Sequence, residues 1–168
     1  MAVAYLCLGS NTGSRVGNIQ QAARLLNEPG IVSPVRTSAL YETEPWGNKN
    51  LNWFVNGVIE IKTKLAPRAL LEFCKNIERR MGRQPVSNND YENRIIDIDI
   101  LFYGDLTIDE PDLKIPHPHL HERAFAIVPL LELIPDYVHP KYKKSLLQLH
   151  EDLEVLDDVF LYGTRVQM

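Results

Sequence analysis

The apolar positions switch between a period of two and a period near 3.6, in an order that can be read along the chain. "VAYLCLGSN" (3–11) is a nearly continuous apolar run ending in turn residues, and it predicts a strand. "SRVGNIQQAARLLNE" (14–28) carries a stripe through Ile19, Ala22, Ala23 and Leu26, with Ser14 as N-cap, and predicts a helix. "SPVRTSALYETEPWG" (33–47) starts as a strand and ends in a turn-prone Pro and Gly. "LNWFVNGVIEIKTKL" (51–65) alternates strictly: Trp53, Val55, Gly57, Ile59 and Ile61 face one way, and Phe54, Asn56, Val58 and Glu60 the other.

In "APRALLEFCKNIERRMG" (66–82), Pro67 sits near the first helical position, and the stripe runs through Leu70, Phe73, Cys74, Ile77 and Met81 up to Gly82. A polar loop leads into the strand "NRIIDIDILFYG" (93–104), then a segment rich in Pro and His, then short helices near 129–134 and 144–152. The first hundred residues therefore follow the order β-α-β-β-α-β. That is the α+β, ferredoxin-like order, whose helices cover one sheet face and leave the other available. No repeat, low-complexity tract or linker divides the chain, so residues 1–168 read as one domain.

The two aspartates inside the strand at 93–104 raise the first chemical question. By parity Ile96, Ile98, Ile100 and Phe102 share one face, and Ile95, Asp97, Asp99 and Leu101 the other. Strand geometry then sets the two carboxylates side by side, with Cβ atoms about 6–7 Å apart. One account is a solvent-facing polar edge on an amphipathic strand. The other is a cation between them, for which magnesium is suited, since it takes hard oxygen ligands and often only one or two carboxylates besides phosphate. Paired metals held in this way promote phosphoryl transfer.

Two further features favour the second account. The thirteen-residue polar loop 82–94 is long for a compact domain and carries Arg83 and Arg94 at its ends, as a clamp on phosphates would. "IPHPHLHERAF" (115–125) sets His117, His119, His121 and Arg123 close together. Zinc would need a thiolate or acid at a familiar spacing, and none is nearby, so anion binding by a His and Arg123 is the more economical reading.

Charge and composition narrow the partners. The net charge is −4, without the basic stripe of a general nucleic-acid binder. No apolar run approaches the length of a membrane span, and the N-terminus lacks the features of a signal peptide. Cys7 and Cys74 sit among apolar neighbours and read as buried free thiols of a reducing cytoplasm.

The blocks "AYLCLGSN", "SALYETEPWG", "FVNGVIEI", "IERRMGR", "NRIIDIDILFYG" and "IPHPHLHERAFAIVPLLEL", spanning about 3–135, resemble the hydroxymethyl-dihydropterin pyrophosphokinases of folate biosynthesis. The resemblance implies an ATP-dependent enzyme that transfers pyrophosphate to the hydroxymethyl group of 6-hydroxymethyl-7,8-dihydropterin and releases AMP. With the charge and composition above, the expectation is a cytoplasmic monomer that needs no nucleic acid or membrane. On it, Asp97 and Asp99 match the pair holding two magnesium ions, and Arg83 and Arg94 the arginines of the catalytic loop. His117 and Arg123 match phosphate contacts, and Glu78 an acid near the ribose and adenine. Asn56 matches the amide that reads the pterin edge, Phe54 and Phe125 the aromatic pair around its ring, and Thr43, Glu44 and Trp46 the loop beside it.

Parity agrees with part of this assignment, since Phe54 and Asn56 share one face and the aspartates share a face of another strand. A flat heteroaromatic ring stacks on Phe54, and Asn56 offers donor and acceptor together. Three departures from the family pattern stand out. Tyr91 replaces an expected tryptophan, Asp90, Glu92 and Asn93 make the loop acidic, and Asp112 falls where some relatives have arginine. No residue is an obvious general base. A polymerase-like nucleotidyl transferase would explain the aspartates but not Phe54 and Asn56, and a non-catalytic nucleotide-binding module would need neither paired acids nor an arginine-bearing loop.

Overall fold

A computed structural model of the chain describes residues 1–83, 93–154 and 158–168. Gln84–Glu92 of the long loop, including Tyr91 and the acids beside it, thus lie outside the described residues. The elements are β1 (Ala2–Ser10), α1 (Arg15–Leu26), β2 (Val32–Thr37), β3 (Ala39–Thr43), β4 (Phe54–Thr63), α2 (Pro67–Arg80), β5 (Asp97–Tyr103), β6 (Ile108–Glu110), β7 (Leu113–Ile115), α3 (Ala124–Leu133), α4 (Leu146–Glu151) and β8 (Val159–Arg165). The main sheet runs β5-β1-β4-β3-β8, with β2 also on β4, and every pairing is antiparallel. β6 and β7 form a separate hairpin. The ferredoxin-like α+β fold expected from the first hundred residues is found, with the second strand of that order divided into β2 and β3.

The alternation in β1 and β4 decides which side faces which helices. Ala4, Leu6, Leu8, Val55, Ile59 and Ile61 meet Ile19, Leu26, Leu70 and Ile77 of α1 and α2 in one core. Tyr5, Cys7 and Val58 turn the other way, onto Ile127 and Leu130 of α3 and Leu146 and Leu149 of α4. The second face is therefore not left open, as the β-α-β-β-α-β order alone suggested: α3 and α4 cover much of it, and the site lies beyond them.

Four local expectations shift. The stretch 33–47 forms two strands, because Ser38 breaks the ladder: its hydroxyl accepts from the Val58 N–H (2.9 Å) and donates to the Ala39 carbonyl. Ser14 precedes α1 without a side-chain capping bond. Phe102 lies opposite Ile98 and Ile100, since a register shift at Tyr5/Leu6 takes Leu101 out of the pairing and moves Phe102 to the core under α3. Helix α3 starts at Ala124, well before 129, with Pro129 inside it. Its AFAIVPLLEL sequence is apolar on nearly every side, and burial against the sheet outweighs the lost backbone bond at Pro129.

Candidate functional site

Register places the chemistry. Asp97 of β5 pairs with Gly9 of β1, and Gly9 pairs with Asn56 of β4, so the three form one row across the sheet. Gly9 is what makes the row possible, since a Cβ there would lie 2.3 Å from Asn56 Oδ1. Asn56 is nearly buried and donates from Nδ2 to the Thr43 hydroxyl at 2.6 Å, which fixes the direction of its amide.

This row floors a pocket of about 290 Å³. Thr43, Glu44, Trp46, Phe54, Asn56 and Phe125 line one half, and Arg94, Asp97, Asp99, His117 and Arg123 the other. Leu51 completes the wall and was not singled out from the sequence; nor was Gly9, although a glycine inside a strand signals a close approach. Glu44 is tied to Lys49 (3.2 Å), and the Glu44 N–H donates to the Asp158 carbonyl. The Arg123 guanidinium lies 4.7 Å from the Trp46 ring centroid and 5.4 Å from that of Phe125, joining the two halves.

The polar half is an alternation of acids and cations. Asp97 Oδ1 accepts from Arg83 Nη1 at 2.9 Å and meets Arg94 Nη1 at 3.2 Å. Arg123 Nη1 stands 3.6 Å, and His117 Nε2 3.9 Å, from Asp99 Oδ2. Burial, then the neighbouring Asp97, raises the Asp99 carboxyl to about 7. The His117 Nδ1 accepts from the His119 N–H, while its Nε2 lies 3.4 Å from Arg123 Nη1 on the side of Asp99. Burial, then Arg123 and His119, lowers its pKa to about 3, so the His117 ring is neutral near pH 7.

Glu78 and Arg83 do not line the pocket wall. The Glu78 carboxylate lies against Arg83 and accepts from the Ile98 N–H (3.1 Å), between the two aspartates. Burial, then Asp97, raises its pKa to about 7. It stands behind Asp97, facing protein groups where a ribose contact was expected. Asp112, at the other departure, holds Arg68 of α2 at 2.8 Å.

The donor set suits a hard cation bound to phosphates. Two carboxylates open on the pocket, and no group of three metal-binding side chains exists among the described residues, so a cation here would need further oxygens from ligand or water. The buried Arg123 Nε has no partner among the described residues, which fits an anion beside it.

The family model for 7,8-dihydro-6-hydroxymethylpterin-pyrophosphokinase (HPPK) matches residues 5–135. The chain belongs to that family. It is 42% identical over 146 residues to a 2-amino-4-hydroxy-6-hydroxymethyldihydropteridine pyrophosphokinase of Aquifex aeolicus, covering 87% of this chain and 89% of the relative. A protein of the same name from Methylorubrum extorquens is 41% identical, with 82% and 86% covered. A crystal structure of HPPK-DHPS from Plasmodium falciparum superposes with a TM-score of 0.73 at 21% identity, over 89% of this chain and 45% of that one. This chain thus spans less than half of that solved HPPK-DHPS chain, and the likeness to it is one of HPPK fold.

Proposed function

We propose that this chain carries out the HPPK reaction in the pocket above, transferring pyrophosphate from ATP to 6-hydroxymethyl-7,8-dihydropterin in folate biosynthesis. The observation that carries the reading is the Asp97–Gly9–Asn56 row, which sets a phosphate-handling half beside a half suited to a flat heteroaromatic ring.

Asn56, oriented by Thr43, reads the pterin edge, and Phe54 and Phe125 hold the ring. Glu44, Trp46 and Leu51 close the wall around it and exclude water. The hydroxymethyl oxygen attacks the β-phosphorus of ATP. A new O–P bond forms as the bond to the α-phosphate bridging oxygen breaks, and AMP leaves with that oxygen. Arg83, Arg94, Arg123 and His117 meet the charge that moves onto the phosphates and AMP. Asp97 and Asp99 would hold two magnesium ions. Bound there, magnesium neutralises the phosphate chain. The alcohol proton passes to Asp97 or to water. In this reading residues 1–168 act as one domain, a monomer in the cytoplasm.

Incubation with ATP, Mg²⁺ and 6-hydroxymethyl-7,8-dihydropterin tests the reading. AMP should form in step with pterin diphosphate. AMP no faster than without pterin, or release of free pyrophosphate in place of AMP, overturns it.

A further inference from the structure

Asn11, the residue after β1, is 2% exposed and turns its polar groups toward two distant loops. Its N–H donates to the Arg94 carbonyl (3.0 Å), and its Oδ1 accepts from the Arg94 N–H (2.6 Å). Its Nδ2 donates to the Asn52 carbonyl (3.0 Å) and to Asn93 Oδ1 (2.9 Å). Asn93 Oδ1 also accepts from the Asn52 N–H at 3.2 Å, and Asn52 Nδ2 returns to the Asn11 carbonyl at 3.3 Å. Three asparagines, from the ends of β1, of the loop before β4 and of the loop before β5, thus close on one another.

An asparagine that only shapes its own turn bonds backbone one or two residues away. Asn11 instead clamps both backbone groups of a residue 83 positions on, whose side chain lines the pocket and meets Asp97. We infer that Asn11 is a positioning residue: with Asn93 it fixes the backbone of Arg94, and so sets where the guanidinium meets the phosphates. This rests on the reading of Arg94 given above. The arrangement also explains why an arginine at the exit of a long loop can be placed accurately: its root belongs to the sheet end through Asn11. Displacement of about 1 Å in such a group costs on the order of 100-fold in rate.

A double-mutant cycle on kcat separates positioning from general support of the fold. Asn11→Ala should turn over about 10- to 100-fold more slowly while keeping a cooperative melt. In an Arg94→Ala background the same change should cost less than about twofold, because the group it positions is gone. A merely structural role would multiply the two losses, and that result overturns the inference while leaving Arg94 in its role. Asn11→Ala at the wild-type rate overturns it too. Full rate in Arg94→Ala alone would remove both the reading of Arg94 and this inference. Should Asn11→Ala not fold, Asn93→Ala, at an exposed position, enters the same cycle under the same criteria.

Discussion

Asp97 and Asn56 stand two strands apart in one row of the sheet, with Gly9 alone between them. Strand spacing sets their backbones about 10 Å apart. A pterin edge held at one end and a phosphate chain held at the other would bring the attacking hydroxymethyl and the β-phosphorus together over the glycine. The sheet, more than any loop, sets that separation.

Gly9→Ala should therefore act on the pterin half. The added methyl has to displace the Asn56 amide, whose Oδ1 is 2.3 Å away, and so break its bond to Thr43. Losing a buried hydrogen bond costs about 1 kcal/mol of stability. The pterin KM should rise at least about tenfold, roughly 1.4 kcal/mol of lost binding, with the KM for ATP little changed. An unaltered pterin KM would show that Asn56 does not read the substrate.

Asp97→Ala and Asp99→Ala should each abolish turnover with little loss of folding, and near-normal activity in either would sink the metal assignment. Asp99 adds a stability test in EDTA. Its folded pKa is raised, so the folded state binds the proton more tightly than the unfolded one. The stabilisation this gives is full below about pH 4 and is lost as pH rises through about 7. Asp99→Asn should thus raise Tm more at pH 8 than at pH 4.5. Equal gains at both would contradict the raised pKa.

The paired strands and two stripe-bearing helices were legible in the sequence because burial on one face imposes a period. Asp97 and Asp99 stood out because acids in such a strand require a reason. Gly9 and Asn11 did not stand out: their roles depend on cross-strand register and on partners 41 to 88 positions away, which periodicity does not carry. Strict alternation puts Phe102 on the wrong face for the same reason, since one bulge reverses parity. Pro129 reads as a boundary, but the packing of α3 overrides it. The hairpin β6–β7 and edge strand β8 are short or exposed, and left no strong alternation to read.

Glu78→Gln distinguishes two roles for a buried acid. Behind Asp97, its charge restrains Arg83, while its oxygen caps the Ile98 N–H. Glutamine retains an acceptor for Ile98 but loses the ion pair. The expected result is a kcat lower by about tenfold, as for a group that orients another, with the KM for ATP within about twofold. A raised KM for ATP with kcat unchanged would instead place Glu78 in contact with the nucleotide.

His139 should make the fold acid-sensitive independently of the site. Its ring is buried between Phe102 and Tyr142, and Nδ1 accepts from the N–H groups of Lys141 and Tyr142. Burial, then His121 and Lys141, lowers its pKa to about 4. The unfolded chain, with an ordinary value near 6.5, therefore binds the proton more readily over that interval, and stability is present above about pH 6.5 and lost as pH falls to about 4. The loss attributable to this ring is up to about 3 kcal/mol. Asn at this position does not titrate and can still accept from the two N–H groups. His139→Asn should be less stable than the parent at pH 7.5, and the difference should shrink toward pH 4 in urea melts. A constant difference across that range would mean that the ring is not held neutral by the fold.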